Sequence, residues 1–202
     1  MLKAATAHKN SDPEEIKSNQ FTAEEQQWLN QHSVLTYSVF PDWISMSEFN
    51  YRGQLVGFVA DLMALMRQYS GLEFSLVRTH SWSEALNLLK ARQIDFIPSI
   101  TPSVERNQFA LFTPNYLFVD RVVLGTKRSA DLTDISHLRG KRVGMVHGSV
   151  DKELLSSIGA HPIQVNNDNR LLELLEHGDA DYVLLTMPSL NKRVSEHYQI
   201  VY

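Results

Sequence analysis

The chain has no cysteine, which excludes a disulfide framework and any thiolate metal site. That absence fits an oxidising compartment without establishing one. Nor is there an apolar run near the roughly 20 residues that a bilayer-crossing helix needs. The opening Met1-Leu-Lys-Ala-Ala-Thr-Ala7 is too short, and too polar downstream, for an intact signal peptide. Either a targeting segment has been removed or lies upstream, or the protein is cytoplasmic. Basic blocks are missing as well. Lys and Arg number 19 against 23 Asp and Glu, a net charge of −4, so nucleic acid is not an expected partner. No G-x-x-x-x-G-K-S/T, G-x-G-x-x-G, G-x-S-x-G or H-E-x-x-H pattern occurs, and the eight histidines are scattered without ligand spacing. His147 and Glu105 are poor prospects for acid–base work, each lying in a polar loop. No catalytic residue, metal or cofactor is therefore expected. Internal repeats and low-complexity tracts are absent too.

What remains is an ordinary globular composition, 43% hydrophobic and 21% charged over 202 residues, enough for one large domain or two small ones. Residues 8–20 are polar and aperiodic and read as a linker or arm. Thr22 and Glu25 form a capping box ahead of a short helix ending near His32. Val34 to Phe40 is the first strand, and the loop Pro41 to Gly53 comes next, where Trp43 suits either ligand stacking or lobe packing. Phe58, Leu62, Leu65 and Tyr69, broadened by Met63 and Met66, predict the apolar stripe of a helix that Gly71 stops. Leu72 to Val77 is a second strand. Ser81 and Glu84 cap a helix facing inward through Trp82, Leu86 and Leu89, and Ile94 to Ile97 is a third strand. Strands alternating with helices imply parallel βαβ crossovers.

Residues 116–126 break that rhythm as one extended apolar run that carries the chain toward a second lobe. It then resumes, with strands over 142–146, 163–165 and 182–185 and helices over 150–158 and 169–177, the second capped by Asp168 and closed by Gly178.

The stretch from Asp95 to Pro114 carries the functional expectation. An apolar run stops at Pro98, hydroxyls appear at Ser99 and Thr101, and Arg106 comes next. Ligands in open α/β sheets bind beyond strand carboxyl ends, so this polar rim suits an anion. It equally suits a solvated loop whose arginine meets a surface carboxylate. Gly148-Ser149 lies between a strand and a helix, where free N–H groups suit an anion, although many βα turns need a glycine for geometry alone.

The sequence resembles the family 3 bacterial extracellular solute-binding proteins and, within them, the Venus-flytrap sensor domains of histidine kinases of the Bordetella virulence-sensor type. The likeness rests on Phe21-Thr-Ala-Glu-Glu-Gln-Gln-Trp-Leu29, Pro41-Asp-Trp43, Gly53-Gln-Leu-Val-Gly-Phe58 with Asp61-Leu62, and Ser99-Ile-Thr-Pro-Ser-Val-Glu-Arg106. Phe112-Thr-Pro-Asn-Tyr116, Leu138-Arg-Gly-Lys-Arg-Val-Gly144, Gly148-Ser149 and Gly178-Asp-Ala-Asp181 complete it, in order across residues 21–186. The resemblance implies a two-lobed α/β fold of the periplasmic-binding-protein type II, with a parallel-rich sheet in each lobe. Lobe 1 is expected over 21–114 and lobe 2 over 115–186, with hinge crossings near 115–126 and 183–188 and a return toward lobe 1 over 187–202. It also implies an inter-lobe site in which Arg106 grips a carboxylate and Ser99, Ile100 and Thr101 adjoin it. Trp43 would cover the ligand, and Gly148, Ser149 and Val150 would meet the same anion from lobe 2.

Three departures qualify the resemblance. Where amino-acid binders place an acid for the α-ammonium, this chain has Thr186. The loop Ile44-Ser-Met46 lacks the family's prolines and Phe, and the chain stops at Tyr202, where a final lobe 1 segment would begin. The resemblance implies a periplasmic sensor domain that binds a small anionic metabolite and signals by closing, joined to a membrane kinase or cyclase. Alternatives are a free-standing receptor for an ABC permease, a solute-binding domain attached to an enzyme such as a lytic transglycosylase, and a domain that binds nothing and acts as a spring.

Overall fold

The computed structural model describes residues 21–190 and 198–201. The arm expected over 1–20 lies outside them. Helix α1 (Ala23–Gln31) opens the described chain, its capping box formed as the sequence implies, with Thr22 Oγ1 accepting from Glu25 N and Glu25 answering the Thr22 backbone. Strand β1 (Val34–Tyr37) pairs in parallel with β4 (Glu73–Leu76). Between them the chain makes a small hairpin, β2 (Glu48–Phe49) and β3 (Leu55–Val56), and helix α2 (Phe58–Ser70). The hairpin is too short to leave a sequence period.

Helix α2 presents a different face from the one expected. Val59 and Met63 are buried against Tyr37 and Val39, whereas Phe58, Leu65, Met66 and Tyr69 are exposed. Periodicity reports that a stripe exists, and the packing partner chooses which edge of it is covered. The helix start is fixed by Gly57 at φ 100°, where an added Cβ would lie 2.9 Å from the carbonyl oxygens of Ser45 and Met46. Those carbonyls accept from Phe58 N and Val59 N, so the loop before the helix serves as its cap.

Helix α3 (Trp82–Lys90) comes after β4, with Ser81 Oγ accepting from Glu84 N. The third strand expected over 94–97 reduces to one bridge, Tyr37 to Phe96. Asp95 supports it: Oδ2 accepts from Thr36 N and Thr36 Oγ1, each at 2.7 Å. These side-chain bonds supplement the short backbone pairing, in which Asp95 N donates to Thr36 O at 2.9 Å and Ser38 N to Phe96 O at 3.4 Å.

The second group of elements is a five-stranded sheet in the order β7-β6-β8-β5-β9, built from β5 (Arg121–Thr126), β6 (Arg142–Val146), β7 (His161–Val165), β8 (Tyr182–Thr186) and β9 (Tyr198–Ile200). Strands β7, β6 and β8 are mutually parallel, and β5 is antiparallel to β8 and β9. Helices α4 (Asp151–Ser157) and α5 (Asp168–Glu176) cross between the parallel strands, and the short α6 (Met187–Leu190) succeeds β8. Alternation divides the faces. Val122, Leu124, Val183 and Leu185 join one core with α5, while Val123, Tyr182 and Leu184 join another with Leu155 of α4. Gly144 lets α5 approach, since a Cβ there would lie 2.9 Å from Leu174 Cδ1.

Two expectations are corrected here. Residues 198–200 pair with β5 inside this sheet and do not return toward the first group, because β5 offers an open edge and Val201 buries beneath it. The α5 cap is Asn167, whose side chain accepts from Arg170 N, which leaves the buried Asp168 carboxylate for other partners.

Trp82, Ala85 and Leu89 of α3 pack in one continuous cluster with Val122, Leu124 and Leu171 of the second group. The two lobes therefore touch directly.

Asp95→Ala is expected to lower stability by about 1 kcal/mol, the net worth of such bonds, as a shift in urea midpoint. The Thr36 backbone N–H holds the Asp95 carboxyl below its ordinary 3.8. A depressed folded-state value stabilises above the unfolded value, so the deficit of the variant should be full above pH 3.8 and shrink as pH falls below it.

Candidate functional site

Between the lobes lies a cavity of about 740 Å³. Its near wall is built by a loop held from several sides. Ser47 Oγ donates to Phe40 O at 2.6 Å and Ser47 N donates to Trp43 O at 2.8 Å, closing a tight turn that aims the Trp43 indole across the gap. Trp43, Phe40 and Trp82 form an aromatic row with centroid separations of 5.9 and 5.7 Å. The Arg106 guanidinium lies 5.6 Å from the Trp82 ring centroid, within cation–π range.

Arg106 is not on a solvated rim, as the sequence implied. It is 5% exposed, at the start of a 3-10 turn over Arg106–Gln108. Its Nη1 donates to Thr101 O at 2.6 Å and its Nη2 to Gly148 O at 2.7 Å. One guanidinium thus bridges the two lobes through backbone carbonyls. Of its five N–H donors, two are engaged this way and three remain. Burial pulls its ionisation below the ordinary value; Glu105 opposes that shift, Arg121 adds to it, and Asp151 opposes it.

A second crossing runs from Trp43 Nε1, which donates to Thr186 Oγ1 at 2.8 Å. Thr186 Oγ1 is 3.0 Å from Ser189 Oγ, which donates to Asp168 Oδ2 at 2.5 Å. The position where an acid was expected is therefore a hydroxyl tied back to a buried acid through α6.

Of the residues singled out in the sequence, Trp43, Ser99, Ile100, Thr101, Arg106, Ser149, Val150 and Thr186 all line this cavity. Gly148 contributes its carbonyl and close contact: at φ 80° a Cβ would come within 3.1 Å of Leu86 Cδ1 and 3.3 Å of Trp82 Cδ1. Ser99 Oγ is buried and has no hydrogen-bond partner. Three charged lining residues were missed, namely Arg121, Asp151 and Asp168. Arg121 opens an apolar strand and the two acids open helices, positions that sequence alone reads as strand edge and helix-dipole partners. Arg121 Nε lies 2.5 Å from Asp151 Oδ1, and Ser149 Oγ donates to Asp151 Oδ2.

Among the described residues no three His, Asp or Glu gather to hold a metal ion, and no helix is long and apolar enough to cross a membrane. His147 and Glu105 are both exposed.

The fold is the α/β periplasmic-binding-protein type II fold. The BvgS periplasmic VFT2 domain of Bordetella pertussis superposes with a TM-score of 0.78 at 23% identity, covering 90% of this chain and 80% of that one. An arginine-bound arginine-binding protein of T. maritima does so at 0.73 and 21%, covering 87% and 84%. The model of the bacterial extracellular solute-binding proteins, family 3, matches residues 35–182, and the chain belongs to that family. Among curated proteins, the virulence sensor protein BvgS of Bordetella bronchiseptica is 24% identical over 180 residues, 88% of this chain. The chain spans only 14% of that sensor's length. A probable histidine-binding protein of Campylobacter jejuni is 26% identical over 157 residues, covering 76% of this chain and 61% of that protein.

Gly148→Ala should destabilise the domain by about 1–2 kcal/mol, the cost of a left-handed non-glycine residue. It should also push α3 from the second lobe, and small-angle scattering is expected to show a larger radius of gyration than that of the parent.

Proposed function

We propose that this is a periplasmic solute-binding sensor domain that takes a small anionic metabolite into the inter-lobe cavity and reports it by closure. The observation that carries the reading is the buried, unpartnered Ser99 Oγ, on a residue that lines the same cavity as Arg106. A buried hydroxyl without a partner costs stability, and a ligand oxygen would remove that cost while meeting the three free N–H donors of Arg106. The ligand lies between lobes that the cavity walls already bring together, so binding favours the closed arrangement by differential affinity. Relatives named for histidine and arginine binding support an organic acid or amino acid as the ligand class. Likeness to the periplasmic domain of BvgS supports the sensor role and the location, with the rest of a membrane kinase or cyclase as partner. A free-standing permease receptor shares the same site chemistry and would differ in lacking a membrane helix and output domain attached to this one.

A second reading has its own observation. The bonds from Trp43 to Thr186 and from Arg106 to Gly148 cross the cleft directly, without any intermediary. A domain latched this way transmits force as a closed unit and needs no ligand.

A thermal-shift screen of amino acids and small carboxylates separates the two. Ligand at about 100 times its dissociation constant adds roughly 2.7 kcal/mol, and the shift should vanish in Arg106→Ala. Since Arg106 is buried, Ser99→Ala is the companion. Its ligand-free stability should stay level or rise by up to about 1 kcal/mol, while ligand affinity falls about tenfold. Absence of any hit, with Trp43→Phe loosening the domain, would favour the latched spring.

A further inference from the structure

The cavity contains a second guanidinium that the family-level reading does not use. Arg121 heads β5 and stands in register with Thr186 of β8. Asp151 engages it at Nε, while among the described residues its two terminal nitrogens carry no hydrogen bond, and its side chain keeps 34% of its exposure. Arg106 and Arg121 are joined by a short path. Arg106 Nη2 meets Gly148 O, Ser149 Oγ meets Asp151 Oδ2, and Asp151 Oδ1 meets Arg121 Nε, all within residues 148–151 of one βα turn. The same nearness appears in their electrostatics, since both Arg121 and Asp151 perturb Arg106.

We infer that the ligand is a small dicarboxylate without an ammonium group, one end on Arg106 and the other on the terminal fork of Arg121. This rests on the cavity being a ligand site, as proposed above. Two guanidiniums that line one cavity match two carboxylates, each taken in fork-to-fork geometry. An α-ammonium at the Thr186 position would instead meet a hydroxyl with a guanidinium on the neighbouring strand. The acid tied to that hydroxyl, Asp168, has Oδ2 committed to Ser189. Asp151 offsets part of the Arg121 charge, so it sets the affinity for the second carboxylate.

The test is calorimetric titration of the full 202-residue chain with succinate and glutarate, with butyrate and valerate as singly charged counterparts of equal length, and with glutamate. The dicarboxylates should bind at least tenfold more tightly than their counterparts, and glutamate no more tightly than glutarate. Arg121→Gln should bring the dicarboxylates down to the monocarboxylate level, and Asp151→Asn should tighten them severalfold. Asp151→Asn keeps a hydrogen-bonding isostere, so it serves where Arg121→Gln fails to fold. Equal affinity for both chain types, a glutamate preference of tenfold or more, or a dicarboxylate preference that survives Arg121→Gln would overturn the inference while leaving the anion site standing. No binding by any of the five, with Arg106→Ala equally silent, would overturn both.

Discussion

A buried guanidinium with no carboxylate bonded to it is an expensive object, and the contact between the lobes of this domain is arranged around one. Arg106 is nearly sequestered, yet its two terminal nitrogens meet only the backbone carbonyls of Thr101 and Gly148. Moving an ion out of water costs several kcal/mol even after relaxation, and two carbonyl dipoles with the Trp82 face offset only part of that. The carbonyls belong to different lobes, so the compensation exists only while the lobes stay together. Separation would return the guanidinium to water. The same residue therefore opposes closure through its desolvation and supports it through its bonds, and the balance is open to change by any anion that enters.

The aromatic row makes that balance structural. Phe40 touches both Trp43 and Trp82, so the side chain that carries the Arg106 contact and the one that reaches Thr186 move as one unit. Trp82 also belongs to the core cluster that includes Leu171 and Val122 of the other lobe. Apolar burial at about 25 cal/mol per Å² supplies the background adhesion, and the two polar crossings fix its register. Gly148 completes the fit, since at φ 80° an added Cβ would crowd Leu86 and Trp82 and force them to shift.

Local chemistry in this chain was legible from sequence, and tertiary assignment was legible only in part. The Thr22 box, the Ser81 cap, the Gly71 stop and the strand Arg142–Val146 all depend on neighbours within a few residues, and sequence spacing contains them. The exposed face of α2 was misread because the stripe is wider than its partner. The third strand was read as regular, although it forms only an isolated bridge at Phe96, a few backbone bonds to Thr36 and Ser38, and the Asp95 side-chain bonds. The polar stretch from Ser99 to Arg106 was expected to form a site and lines the cavity, but its depth was not legible, since burial of Arg106 depends on Gly148, 42 residues away. Arg121 and Asp151 were invisible for the same reason. Their pairing exists only once β5 and α4 are placed side by side, and each alone suits an ordinary strand edge or helix start.

The polar groups of the cavity fall into two kinds, and the division bears on how a ligand acts. Trp43, Thr186, Ser189 and Asp168 form a connected chain in which each step has a partner. A solute that displaced one of its members would have to replace that bond, so this wall resists occupancy. Ser99 Oγ and the remaining donors of Arg106 have unused capacity. A solute that satisfies them while leaving the chain intact adds attraction without subtracting any. On the proposed reading, the binding volume would lie toward Ser99, Arg106 and the terminal nitrogens of Arg121, where a ligand would strengthen the existing crossings. A ligand lodged against Thr186 would compete with Trp43 and work against closure. On the proposed reading, position within the cavity would therefore set the sign of the response.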